Sequence, residues 1–215
     1  MLMRFARIGL IALLSGLLVI VLAGCIERMF FYPDSATYAT PAQLGVRAED
    51  VQIVTADGSR LHGWFLPAAG NAKGTVLHLH GNAANVSNHL PLVSWLPARG
   101  YNVLMVDYRG FGRSQGRPSL DGIVDDAAAA LAHLRTRPDV DASELIVLGQ
   151  SIGGATALRL LARDSIIPAM NSEKLHAAAS GSQHWSVPDA MHIMALSQPG
   201  SWREKLVQAM DAAVR

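Results

Sequence analysis

The chain has 215 residues, half of them hydrophobic and only 16% charged, which is ample for one core and excludes a disordered chain. Lys plus Arg (18) balances Asp plus Glu (17), so no charge excess points to nucleic acid. The single cysteine, Cys25, excludes an internal disulfide framework and any multi-cysteine zinc site.

In chain order, the first feature is an uncharged run of 19 residues from Ile8 to Ile26, preceded by Arg4 and Arg7. A basic start, an apolar stretch and then small residues are the layout of a secretory signal. The stretch ends Leu22-Ala23-Gly24-Cys25, which resembles the lipobox of bacterial lipoproteins. That resemblance implies a signal peptide over residues 1–24 and lipidation of Cys25. Loss of 24 residues would leave 191, with 16 basic against 17 acidic side chains. The competing reading is an uncleaved N-terminal membrane helix, since 19 residues can just span a bilayer. Either reading anchors the protein to a membrane of the bacterial cell envelope, facing the periplasm or the outside.

Residues 25–50, with Phe30, Phe31, Tyr32, Pro33 and Pro41, read as an irregular tether and lead-in segment. The domain proper is expected over 51–215. Val51–Val54 and Leu61–Leu66 are predicted as short strands around the turn Ala56-Asp57-Gly58. Thr75–His80, Val103–Asp107 and Leu145–Leu148 are predicted as further strands, dense in apolar residues. Ser87–Arg99 and Leu120–Arg135 have helical spacing, and the alanine run 127–130 suits a helix. Buried runs alternating with helices predict an α/β fold with a mostly parallel twisted sheet.

Gly149-Gln150-Ser151-Ile152-Gly153 fits the G-x-S-x-G nucleophile elbow. In that device a serine sits on a strained strand-to-helix turn, and flanking glycines let neighbouring backbone approach. Its hydroxyl then projects at a helix N-terminus, where the dipole favours a developing oxyanion. A second match, Gly112-Arg113-Ser114-Gln115-Gly116, follows neither a strand nor a helix signal, so Ser114 reads as a loop residue. Ser151 directly follows Leu145-Ile146-Val147-Leu148 and precedes a helix-like stretch, which makes it the candidate nucleophile.

His80-Gly81-Asn82-Ala83-Ala84-Asn85 follows the third strand, and Asp107-Tyr108-Arg109-Gly110-Phe111-Gly112 follows the fourth. With the elbow after the fifth strand, residues 30–163 resemble the α/β-hydrolase superfamily, in its serine aminopeptidase-like or lysophospholipase-like branch. The resemblance implies a Ser-Asp-His triad, no cofactor and no metal. It also implies an oxyanion hole from the backbone N–H groups of Asn82 and Ile152. His80 and Asp107 would order loops rather than react.

By the same resemblance the base lies on a loop after the last strand, read here as about Gln183–Val187. His192 is the candidate, with His184 the lesser alternative. Residues 202–214 read as the final helix, with Leu206, Val207, Met210 and Val214 on one face. His89, His133 and His176 read as surface or boundary residues of helices. Asp164-Ser165-Ile166-Ile167-Pro168 matches the phrase that carries the family's acid, which makes Asp164 the candidate, with Asp189 an alternative orienter.

The interval is short, however. Asp164 follows Ser151 by 13 residues, with no candidates for strands six and seven, as if a segment between Arg163 and Asp164 had been deleted. One helix over residues 152–163 would leave Asp164 about 18 Å from the catalytic edge of the sheet. The expectation is thus an abbreviated α/β-hydrolase fold. The expected activity is cleavage of an ester, thioester or amide in a small or lipid-like acyl substrate. The alternative is an impaired or inactive hydrolase-like lipoprotein that acts as a binding module, or a deletion product.

Overall fold

The computed structural model describes residues 14–16, 29–163 and 201–214. The chain divides into two compact units, Met1–Tyr32 and Pro33–Arg215. In the first unit the described residues 14–16 and 29–30 are helical, and the remainder of the Ile8–Ile26 run, with Cys25, lies outside the described residues. Among the described residues no helix is long and apolar enough to cross a membrane.

Among the described residues the second unit is built on a five-stranded sheet, β1 (Glu49–Val54), β2 (Arg60–Leu66), β3 (Gly74–Leu79), β4 (Tyr101–Val106) and β5 (Leu145–Gly149). Their order across the sheet is β1-β2-β4-β3-β5. β1 and β2 form a hairpin with Val51 opposite Gly63, and Gly63 stands opposite Val106 in the next antiparallel pair. β3 runs parallel to both β4 and β5, with Leu77 opposite Leu104 on one side and Val147 on the other. β3 and β4 are buried along their whole length, because helices cover both faces and every position must be apolar or bonded.

Among the described residues four helices complete the unit: α1 (Val86–Val93), α2 (Gly122–Thr136), α3 (Ile152–Arg163) and α4 (Ser201–Ala213). Val76, Val103 and Met105 meet Val86, Leu90 and Val93 of α1 and Val207 and Met210 of α4 in one core cluster. Strand alternation sends Leu77, Leu104 and Val106 to the opposite face, where α2 and α3 lie. α4 is fastened by its own chemistry: Asp211 accepts from Lys73 Nζ at 2.8 Å and from the Tyr101 hydroxyl at 2.7 Å. Leu206 and Val214 pack against the same cluster, so the apolar face read in the sequence is the face that is covered.

Two boundaries differ from expectation. The helix anticipated over 87–99 stops at Val93, and Pro97–Arg99 forms a separate 3-10 turn ending at Gly100 with φ 88°. Pro97 has no N–H to continue an α-helix, and Gly100 takes the left-handed conformation that terminates one. The lead-in stretch before β1 is irregular in conformation but docked on the domain. Tyr38 N–H donates to Ser87 Oγ at 3.0 Å, and Ala39, Val46 and Ala48 pack on the core cluster.

Among the described residues the sheet ends at β5, whose five residues are all half-buried, unlike those of β3 and β4. α3 occupies all twelve positions from Ile152 to Arg163, so it fills the interval up to Asp164. Asp164, His184, Asp189 and His192 lie outside the described residues.

Candidate active site

β5 ends at Gly149, and α3 begins at Ile152. The two-residue turn between them holds Ser151 at φ 55°, a left-handed conformation that costs a residue with a Cβ about 1–2 kcal/mol. The turn is tight because Gly153 N–H donates to Gln150 O at 2.8 Å and Gly154 N–H donates to Ser151 O at 2.9 Å. Close approach explains both glycines of the motif. A Cβ on Gly149 would lie 2.3 Å from Gly153 O, and one on Gly153 would lie 2.0 Å from Leu79 O. Ser151 is exposed at the N-terminus of α3, where the helix dipole favours negative charge.

The turn after β3 lies against this elbow. Gln150 N–H donates to Leu79 O at 3.0 Å, which extends the β3–β5 ladder to the edge of the turn. A Cβ placed on Gly81 would be 3.7 Å from Ser151 Cβ, so His80-Gly81-Asn82 and Ser151 are in van der Waals proximity. The fold thus brings together three of the sequence-predicted site residues, Ser151, Ile152 and the backbone leading into Asn82.

His80 is fully buried, and its partners fix its tautomer. Nδ1 lies 2.7 Å from Gly81 O, an acceptor only, so Nδ1 carries the proton. Nε2 then accepts from Tyr108 N–H at 3.5 Å. Burial holds its pKa down to about 4 despite the nearby Asp107 carboxylate. A neutral ring with both nitrogens engaged orders the loop and has no free lone pair for a substrate. His78 is also fully buried, and burial with the neighbouring His89 and His80 rings pushes its pKa well below the usual range.

Asp107 is tied in the same way. Its Oδ1 accepts from Val86 N–H at 2.7 Å, at the start of α1, and its Oδ2 lies 3.3 Å from His62 Nδ1. The second serine motif is occupied by structure: Ser114 Oγ donates to Asp107 O at 2.6 Å and accepts from His62 N–H at 2.8 Å.

Some residues of the site were not singled out from sequence. His89 is 4% exposed, not at the surface as its place in a helix was taken to imply. It stands at i+3 between Val86, Leu90 and Val93 on the face that α1 buries, and that spacing is the signal that marks it. Asn85 caps α1, its Oδ1 accepting from Ser87 N–H at 2.9 Å, while its Nδ2 donates to Asp34 O at 3.1 Å and Ala36 O at 2.8 Å. Ala84, the residue before Asn85, has φ 60° and, with Ser151, is one of two non-glycine residues with positive φ among the described residues.

A profile of the family described as serine aminopeptidase, S33, matches residues 70–201, which include both the turn after β3 and the elbow. The chain belongs to this serine aminopeptidase S33 family. Its fold is that of an α/β hydrolase. YfhR of Escherichia coli K12 is 48% identical over 140 residues, covering 63% of this chain and 48% of that protein. Protein bem46 of Schizosaccharomyces pombe is 33% identical over 128 residues, covering 58% of this chain and 43% of that protein. Among solved structures, the esterase Pf2001 of Pyrococcus furiosus superposes with a TM-score of 0.56 at 29% identity, covering 64% of this chain and 54% of that one. The chain spans about half the length of the curated relatives it matches.

Proposed function

We propose that this S33-family chain is a serine hydrolase that cleaves an ester, thioester or amide by acyl transfer. The observation that carries the proposal is Ser151 at φ 55° on a strand-to-helix turn, in contact range of the turn that bears Asn82. Ser151 Oγ attacks the acyl carbonyl. The N–H groups of Asn82 and Ile152 hold the oxyanion. His192 takes the hydroxyl proton and returns it to the leaving group, and Asp164 orients the ring. The apolar run before Cys25, and lipidation of Cys25, set the chain at the bacterial envelope membrane, where lipid-derived acyl groups are at hand.

A fluorophosphonate probe on the purified full chain tests the proposal. Labelling that disappears in Ser151→Ala supports it, and labelling that survives that change, or no labelling at all, refutes it. p-Nitrophenyl esters against aminoacyl amides then separate esterase from peptidase. One observation favours a second reading, a non-catalytic binding module. α3 consumes every residue between Ser151 and Asp164, and no described strand returns the chain to the catalytic edge. A folded chain that resists the probe supports that reading.

A further inference from the structure

His89 has no part in the proposed triad, yet it spans the two backbone segments that make the site. Its Nε2 lies 3.1 Å from Ala83 O in the turn after β3, and its Nδ1 lies 2.8 Å from Oε1 of Gln150, the residue before Ser151. We propose that His89 is a positioning residue, a bracket that fixes the oxyanion turn relative to the nucleophile elbow. The inference rests on the reading of Ser151 as nucleophile.

The chemistry of the partners determines the proton's place. A backbone carbonyl only accepts, so Nε2 carries hydrogen and donates to Ala83 O. A neutral ring then presents a lone pair at Nδ1, which an acceptor oxygen cannot satisfy, so the Gln150 amide must turn over to bring its NH2 group to the place that Oε1 occupies, 2.8 Å from Nδ1. The alternative, an imidazolium that donates at both nitrogens, would place a charge at a 4% exposed site stacked on the His80 ring with centroids 5.3 Å apart. His78 lies 6.4 Å away on another side, and among the described residues neither of its nitrogens has a hydrogen-bond partner.

The bracket has mechanical work to do. Ala84, next to the carbonyl that His89 holds, is strained at φ 60°. Strain of that kind persists only where neighbouring contacts over-determine the backbone. On the other flank Asp34 N–H donates to Ala84 O at 3.3 Å. Release of the His89 side lets the turn relax away from Ser151, and a displacement of about 1 Å in such a site costs roughly 100-fold in rate.

Two measurements on the full chain test the bracket. Long-range proton–nitrogen NMR of nitrogen-15 histidine-labelled protein reads the His89 tautomer directly, with His89→Gln assigning the signal. A proton on Nε2 and a bare Nδ1 are expected; a proton on Nδ1, or on both nitrogens, overturns the inference. In the second, His89→Phe and Gln150→Leu are each expected to slow fluorophosphonate labelling by about 10- to 100-fold, with kcat on a p-nitrophenyl ester falling and KM unchanged. The double variant is expected to lose no more than the worse single one, because both cut the same bracket. Wild-type rates in either folded single variant, or fully multiplicative losses in the double, overturn it. If the wild-type chain does not label at all, the hydrolase reading fails, and the tautomer alone decides the bracket.

Discussion

At the elbow the serine holds the left-handed conformation (Ser151, φ 55°), and the glycines of its motif are there for clearance. At Gly112–Gly116 the glycines hold it (φ 52° and 91°), and Ser114 is left in ordinary backbone with its hydroxyl bonded to main-chain groups on both sides. One pattern of letters therefore encodes two devices. In one, strain is placed on the serine and its hydroxyl faces solvent at a helix N-terminus. In the other, strain is removed from the serine and its hydroxyl stitches the His62 strand to the turn after β4. The serine takes the left-handed turn where a strand feeds the motif and a helix leaves it.

The largest expected effect that separates the two is on reactivity. Ser151→Ala should lower ester hydrolysis by about 10⁴-fold or more, measured as kcat/KM, while Ser114→Ala should leave it unchanged. Next comes packing at the elbow. Gly153→Ala puts a Cβ at 2.0 Å from Leu79 O and should cost about 3 kcal/mol or more in denaturant unfolding. A loss below 1 kcal/mol would show that the elbow is looser than its geometry.

The acid response follows from His80, held at about 4 against an ordinary 6.5. Between those values the unfolded chain binds a proton that the folded chain refuses, so stability is full above about pH 6.5 and falls as pH drops towards 4. The amount is about 3 kcal/mol, and His78 acts in the same direction. Urea titrations at pH 7 and pH 4.5 read it, and His80→Asn should flatten the profile.

Smaller effects sharpen the contrast between the serines. Ser114→Ala leaves His62 N–H and Asp107 C=O short of a partner and should cost about 1–3 kcal/mol in stability without loss of probe labelling. Ser151→Gly should do the reverse: labelling is lost, while relief of the left-handed strain raises stability by up to about 1 kcal/mol.

Much of this was legible in the sequence, for physical reasons. β3, β4 and β5 are read from continuous apolar runs because a sheet covered on both faces admits little else. α3 is read to the residue because the elbow fixes its start. The roles of His80 and Ser114 also follow from their place in the turns. The burial of His89 was hidden because a polar residue inside an apolar helical face looks like a boundary. Only the fold shows that Ala83 O and Gln150 wait for it. The docking of residues 34–48 was hidden because it rests on hydrogen bonds between segments some 50 positions apart, such as Asn85 to Asp34, which no local pattern announces.

That docking changes where the domain begins. Asp34 and Ala36 supply the oxygen atoms that hold Asn85 Nδ2, and Ala36 O accepts from Ser87 Oγ at 3.3 Å. A version trimmed at the first strand, Glu49, would discard all of them and leave the cap of α1 and the turn behind Asn82 without their outer wall. The place to cut is ahead of Pro33, where the second compact unit starts. In gene-engineering terms, the stretch that looks like a disposable leash is part of the cassette.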